Sequence, residues 1–202
     1  FVIVAPKGVY RNWVNLELPA HMPTRIERTI AVWKAGANKS EKELLRNLLE
    51  PSDRLRILVM NVEALSTPKG RKYLTTLLEA SKALLAVDES TTIKSPKAGR
   101  TKALIKLAPL AHYRRILTGF PVTQSPMDLW AQCRFLDKEL LGDCGDNFFQ
   151  FQYRYAVMRK QHVGSHSFNR VVGYRNLEQL GSILKEFSSR ITKEECLDLP
   201  AK

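Results

Sequence analysis

Apolar residues along the chain fall into short unbroken runs, separated by longer stretches in which they recur every three or four positions. Residues 1–5 (Phe-Val-Ile-Val-Ala) form a continuous, β-branched run ended by Pro6. Such a run suits a strand covered on both faces, not one alternating between core and water. A helical pattern follows from Val9 to about Leu18, with Val9, Trp13 and Leu16 on one side and Pro19 placed to stop it. Residues 28–34 read as a second strand. Ser40 then stands as an N-cap with Glu43 completing a capping box, and the helix carries Leu44, Leu45, Leu48 and Leu49 towards Pro51. A third strand at 56–60 leads into Asn61-Val62-Glu63-Ala64-Leu65. A helix from about Pro68 to Ser81 turns Leu74, Leu77 and Leu78 inward. Strand four spans 83–88, a polar loop 89–98, a basic helix about Gly99 to Leu107, strand five Tyr113–Leu117, and a helix Met127–Leu136.

Strands alternating with helices five times predict βαβ units and a mostly parallel sheet in an α/β fold. Right-handed crossovers bring the C-terminal tips of such strands to one edge, where open α/β sheets bind ligands. Pro6-Lys7, Asn61-Glu63, Asp88-Glu89 and Thr118-Gly119 all sit at predicted tips. After Asp137 the rhythm changes. Phe148, Phe149, Phe151, Tyr153 and Tyr155 suggest an aromatic-rich helix, and Arg154, Arg159, Lys160, Arg170 and Arg175 mark a basic, loop-rich piece. A last helix is predicted from Asn176 to about Phe187, and Leu197-Asp198-Leu199-Pro200 reads as a lead-in to another domain. The pattern therefore divides at 138/139, into an α/β unit and a helical, basic extension.

Charge narrows the partner class. The 202 residues carry 32 Lys and Arg against 20 Asp and Glu, a net charge of +12 spread over the whole length. Distributed positive charge of this size is what a binder of phosphate backbones carries. No apolar run is long enough for a membrane helix, and no basic segment precedes an apolar one as in a signal peptide. Cys133, Cys144 and Cys196 are far apart, and His21, His112, His162 and His166 fall at no zinc-site spacing. Reduced thiols in a cytoplasm are the simple expectation.

The sharpest candidate chemistry lies at Leu84-Leu85-Ala86-Val87-Asp88-Glu89. An apolar strand that delivers two adjacent carboxylates at its tip is the layout that nucleotide triphosphatases use to hold Mg²⁺ and aim a water. A polar loop after a strand would look the same. A metal-dependent nuclease would need further converging acids, and Asp53, Asp128 and Asp137 are not at tips. Lys7 and Arg11 could reach a phosphate, or could simply be solvated charges.

Four segments, taken in order, resemble the first RecA-like motor domain of the Snf2-type superfamily 2 helicases. Residues 2–13, with Trp13, are similar to motif Ia. Residues 57–65 are similar to the motif Ib region. Val87-Asp88-Glu89-Ser90-Thr91-Thr92-Ile93-Lys94-Ser95-Pro96 is similar to motif II, and Leu117-Thr118-Gly119-Phe120-Pro121-Val122 followed by Leu129-Trp130 to motif III. The resemblance implies a three-layer, RecA-like P-loop NTPase fold, incomplete at its N-terminus, and a DNA-dependent ATPase using ATP and Mg²⁺ to move on duplex DNA. It implies Asp88 as the residue that meets Mg²⁺ with ATP and Glu89 as the one that activates water. Thr118 and Gly119 would couple nucleotide to DNA, and Lys7, Arg11, Asn61 and Lys94 would touch the DNA backbone. No membrane partner and no obligate oligomer are implied. Thr91 stands where the family usually has His, a form associated with phage and bacterial members, and Phe120 where it usually has Thr. No G-x-x-x-x-G-K-[ST] occurs, so residues 1–202 by themselves are expected not to hydrolyse ATP, and an absent second lobe is expected after Lys202. The rival expectation is a non-catalytic basic module that binds nucleic acid or a protein. Poor stability is also expected, through an unpaired apolar edge at strand Val2–Ala5 or its neighbour.

Overall fold

A computed structural model describes residues 1–163, 166–192 and 195. The chain divides into two compact units, Phe1–Phe148 and Phe149–Lys202. In the first, five parallel strands form one sheet in the order β2-β3-β1-β4-β5. They are β1 (Val2–Ala5), β2 (Arg28–Val32), β3 (Leu55–Asn61), β4 (Leu84–Asp88) and β5 (Tyr113–Leu117). The continuous apolar run of β1 is explained by its place. It lies between β3 and β4 and buries every residue.

Alternation divides its side chains between two cores. Val2 and Val4 join Leu58, Met60, Leu85 and Val87 on one face, under helices α3 (Lys39–Asn47), α4 (Pro68–Glu79) and α5 (Gly99–Leu107) and Phe135 of α6 (Leu129–Leu136). Ile3 and Ala5 join Ile57 and Val59 on the other, against Tyr10, Val14 and Leu18. That second face is covered by one helical stretch, which runs through α1 (Tyr10–Asn12), a π-helical turn Trp13–Glu17 and α2 (Leu18–His21).

Three local expectations are corrected. Pro19 does not end the first helix. It occupies the first turn of α2, beyond a wide π turn in which Leu18 N–H reaches back to Trp13 O, where a missing N–H costs little. The cap of α3 is Asn38, not Ser40. Asn38 is the residue in extended backbone, its side chain accepts from Glu41 N–H, and Glu41 returns the bond to Asn38 N–H. Ser40 instead donates to Asn38 Oδ1 at 2.8 Å. Finally, Val2–Ala5 is central, so the unpaired edges are β2 and β5. Of these, β5 is the one with exposed large apolar side chains, Tyr113 at 57% and Leu117 at 45%.

The second unit is built of α7 (Phe148–Tyr155), an antiparallel pair β6 (Ala156–Val163) and β7 (His166–Tyr174), and α8 (Leu177–Phe187). The hairpin replaces the loop expected for the basic piece. Cys196 and the lead-in at 197–200 lie outside the described residues.

Candidate active site at the strand tips

The connection leaving β1 runs towards β2 at one edge and covers one face of the sheet, while the connection leaving β4 runs to β5 at the other edge and covers the opposite face. The order therefore reverses between neighbours β1 and β4, the position where open α/β sheets leave a crevice beyond their strand ends. Asp88 closes β4 at that point, and its Cα partner on β5 is Leu117. On the other side Ala5 of β1 faces Asn61 of β3. Register also fixes which way Asp88 looks. Ala86 pairs with Ile3, so Asp88, two residues on, lies on the sheet face that carries α1 and the π turn.

Trp13 uses that face. Its indole Nε1–H donates to Asp88 Oδ2 at 2.8 Å, and Glu89 N–H donates to Asp88 Oδ1 at 2.9 Å. Each carboxylate oxygen thus accepts one protein hydrogen bond and keeps a free acceptor direction. Glu89 is exposed and sits in left-handed backbone (φ 47°, ψ 60°), where its Cβ crowds the following carbonyl. A carboxylate residue held there is backbone strain concentrated at the candidate site.

The turn after Glu89 is fixed from three sides. Ser90 Oγ–H donates to Gln132 Oε1 at 2.6 Å, both groups being buried. Arg100 Nε donates to Thr92 O at 2.8 Å, and Thr101 Oγ1 donates to Ile93 O at 3.2 Å. Gln132 completes its own bonding by donating to Pro121 O at 2.7 Å and Asp128 O at 2.8 Å. Asp128 Oδ2 in turn accepts from Thr123 N–H, Thr123 Oγ1–H and Gln124 N–H at 2.9–3.0 Å. Lys94 lies 3.6 Å from the same oxygen and donates to Thr123 Oγ1. Burial acts to raise the Asp128 pKa, but these hydrogen bonds and the Lys94 charge together outweigh it and hold the carboxyl below its ordinary value. A continuous network thus joins the turn behind Glu89 to the loop that follows β5.

The other expected site residues fall as follows. Lys7 is exposed beyond β1. Arg11 is exposed and rests against its neighbour, with Nε 3.3 Å from Tyr10 Oη. Asn61 caps the turn Val62–Ser66, its Oδ1 accepting from Ala64 N–H at 2.8 Å. Lys94 is engaged in the Asp128 network. Thr118 Oγ1 accepts from Phe120 N–H at 3.2 Å, Gly119 is exposed, and Phe120 is 77% exposed. Sequence reasoning missed two contributors. Gln132 is a buried amide four residues after Asp128 on an otherwise apolar helix face, a signal that was present. Trp13 lies on the apolar side of the first helical pattern and within the segment similar to motif Ia, and nothing in its spacing points at Asp88.

No group of three or more His, Cys, Asp or Glu side chains converges among the described residues. A site with two carboxylates and open acceptor directions does not fit zinc, which wants nitrogen and sulfur ligands. It fits Mg²⁺, which takes one or two carboxylates and completes its octahedron with water and phosphate oxygens.

With this geometry in hand, the comparisons are specific. The SNF2-related domain matches residues 1–202. The chromatin-remodeling ATPase INO80 of Arabidopsis thaliana is 26% identical over 201 residues, covering 96% of this chain and 12% of its own length. A Caenorhabditis elegans homologue of SWI/SNF-related matrix-associated actin-dependent regulator of chromatin subfamily A-like protein 1 is 34% identical over 117 residues, covering 57% of this chain and 16% of its own length. This chain therefore spans less than a fifth of either relative. The SWI2/SNF2 ATPase core of Sulfolobus solfataricus, solved in complex with double-stranded DNA, superposes with a TM-score of 0.65 at 23% identity, covering 98% of this chain and 36% of that one. That likeness establishes the RecA-like α/β fold of the parallel sheet.

Proposed function

Because this chain belongs to the SNF2-related domain family, we propose that it is part of a DNA-dependent ATPase that couples ATP hydrolysis to movement along duplex DNA. The observation that carries the reading is the Asp88-Glu89 pair, placed at the reversal point of the sheet with both Asp88 oxygens oriented by Trp13 and Glu89 N–H. Mg²⁺ bound with ATP would neutralise phosphate charge there. Asp88 presents a carboxylate whose rotation is blocked from both sides. Glu89, exposed beside it, orients a water and takes up its proton. Residues 1–202 contain no G-x-x-x-x-G-K-[ST], so the reading assigns the grip on the triphosphate to sequence outside them.

Coupling runs through the loop after β5. Thr118 and Gly119 begin that loop, and Ser90–Gln132–Pro121 ties it to the turn behind Glu89. A nucleotide-dependent shift at Glu89 is passed on through buried, fully bonded groups, whose rearrangement would leave polar atoms unpaired. Lys7 and Arg11, exposed near the same edge, supply sequence-neutral phosphate contacts, in keeping with a net charge of +12. Buried Cys133 and Cys144 suit a reducing cytoplasm, and the Asp-Glu-Ser-Thr form suits a bacterial or phage source. The test is ATP turnover by the protein that carries this segment, with and without duplex DNA. The reading requires duplex stimulation that Glu89→Gln removes.

A second reading has one observation in its favour. The high positive charge also describes a non-catalytic module that binds DNA alone. Duplex binding without any ATP turnover in the protein that carries the segment would select it.

A further inference from the structure

The second unit presents a surface that the ATPase chemistry does not use. From Asn147 to Leu177 the sequence contains no Asp or Glu, while Arg154, Arg159, Lys160, Arg170 and Arg175 fall within it. The β6–β7 hairpin occupies the middle of this stretch. Its register sets Arg159 directly opposite Arg170. Both are exposed, and among the described residues neither has an ion-pair partner. Two like charges facing each other across a ladder oppose hairpin formation, and a two-stranded ribbon has little stability to spare. A polyanion lying across the pair would turn this repulsion into two charge-assisted contacts.

The alternation of side chains defines the rest of the face. Gln161 pairs with Phe168 two positions along, so Arg159, Arg170, Gln161 and Phe168 share one side of the ribbon. Phe168 is 49% exposed. Paired guanidiniums beside an open aromatic ring and an amide form a surface for a phosphate backbone and its sugars. An acidic protein surface would leave the two arginines competing for separately placed carboxylates, whereas a nucleic-acid strand offers regularly repeated charge.

We propose that the Arg159–Arg170 face of the β6–β7 hairpin is a second DNA-contact surface, gripping the phosphate backbone without reading sequence. This rests on the DNA reading above, and the experiment separates the two. Affinity of the full chain for a fluorescent 30-base-pair duplex is measured by anisotropy over a series of salt concentrations. Three double variants are compared with wild type. They are Arg159→Gln/Arg170→Gln, the charge-keeping Arg159→Lys/Arg170→Lys, and Lys39→Gln/Lys42→Gln on α3 as an equal charge change elsewhere. The expected result is a loss of about tenfold for the Gln pair at 0.1 M salt. The slope of log K against log salt is expected to fall by about 2, close to one per lost phosphate contact. The Lys pair and the α3 pair stay within about threefold of wild type. The inference is overturned if the Gln pair matches wild type in affinity and slope, if the α3 pair loses as much as the Gln pair, or if the Lys pair loses as much, since that would make the arginines structural. A wild-type chain that binds no duplex overturns the DNA reading and this inference with it.

Discussion

The indole of Trp13 and the carboxylate of Asp88 lie 75 positions apart in sequence and 2.8 Å apart in space. The hydrogen bond exists because β1 and β4 are neighbours and because alternation turns Asp88 towards the face on which the π turn packs. Trp13 is a positioning residue on this account, acting through Asp88. Trp13→Phe keeps a ring against the sheet and removes only the donor. A hydrogen bond to a charged group is worth about 1.5–3 kcal/mol, so kcat for ATP is expected to fall roughly tenfold or more. The distinguishing readout is the Mg²⁺ concentration for half-maximal rate, which should rise. A changed melting temperature with an unchanged Mg²⁺ dependence would reduce Trp13 to packing.

Gln132 is predicted to govern communication more than chemistry. Gln132→Leu keeps the volume and removes the bonds to Ser90, Pro121 and Asp128. Buried partners left unpaired cost about 1–3 kcal/mol, which denaturant unfolding will show. In turnover assays the stimulation by duplex DNA should drop by about an order of magnitude, with a smaller change in the rate without DNA. An unaltered stimulation factor would show that the network is structural only.

At Glu89, stability and activity are predicted to oppose each other. Left-handed backbone costs a non-glycine residue roughly 1–2 kcal/mol, whereas glycine adds about 0.5–1 kcal/mol of unfolded-state entropy. Glu89→Gly should therefore gain up to roughly 1 kcal/mol of folding stability while abolishing turnover. A destabilised Gly variant would mean that the conformation at φ 47° carries no strain.

Asp128 supplies a pH dependence. Its folded-state pKa is depressed below the ordinary 3.8. Its contribution to stability is therefore complete above that value and is lost as the pH falls through the folded-state pKa. Asp128→Asn should be less stable than wild type at pH 7 by about 1–2 kcal/mol. The gap should close as the pH is lowered below about 4. A gap constant down to pH 2 would contradict the charged network around Thr123, Gln124 and Lys94.

The parts of the molecule legible in the sequence are those governed by short-range pattern. Val2–Ala5 announces a doubly covered strand because nothing in it is polar, and the run Leu84–Val87 ending in Asp88 announces both a strand and the tip at which the candidate site lies. The relationships that were not legible depend on tertiary choices. Two overlapping capping signals begin at Asn38 and Ser40, and only backbone geometry selects Asn38. Pro19 stops an ordinary α-helix, but the π turn before it changes which N–H groups are needed. No hydrophobic alternation marks the strands Ala156–Val163 and His166–Tyr174, because most of their described side chains are exposed on both faces. Nor does any local pattern show that Trp13 meets Asp88 or that Gln132 meets Ser90. Those contacts follow from the strand order, which is a property of the whole sheet.

The central claim is that Glu89 activates water for ATP hydrolysis while Asp88 holds the metal side of the site. The direct measurement is single-turnover phosphate release from ATP by the protein that carries this segment, on saturating duplex DNA, for wild type and Glu89→Gln, with nucleotide affinity measured in parallel. The account predicts that Glu89→Gln binds Mg²⁺ and ATP within a few-fold of wild type but releases phosphate at least about a hundredfold more slowly, the range expected for loss of a general base. Phosphate release at the wild-type rate would contradict it.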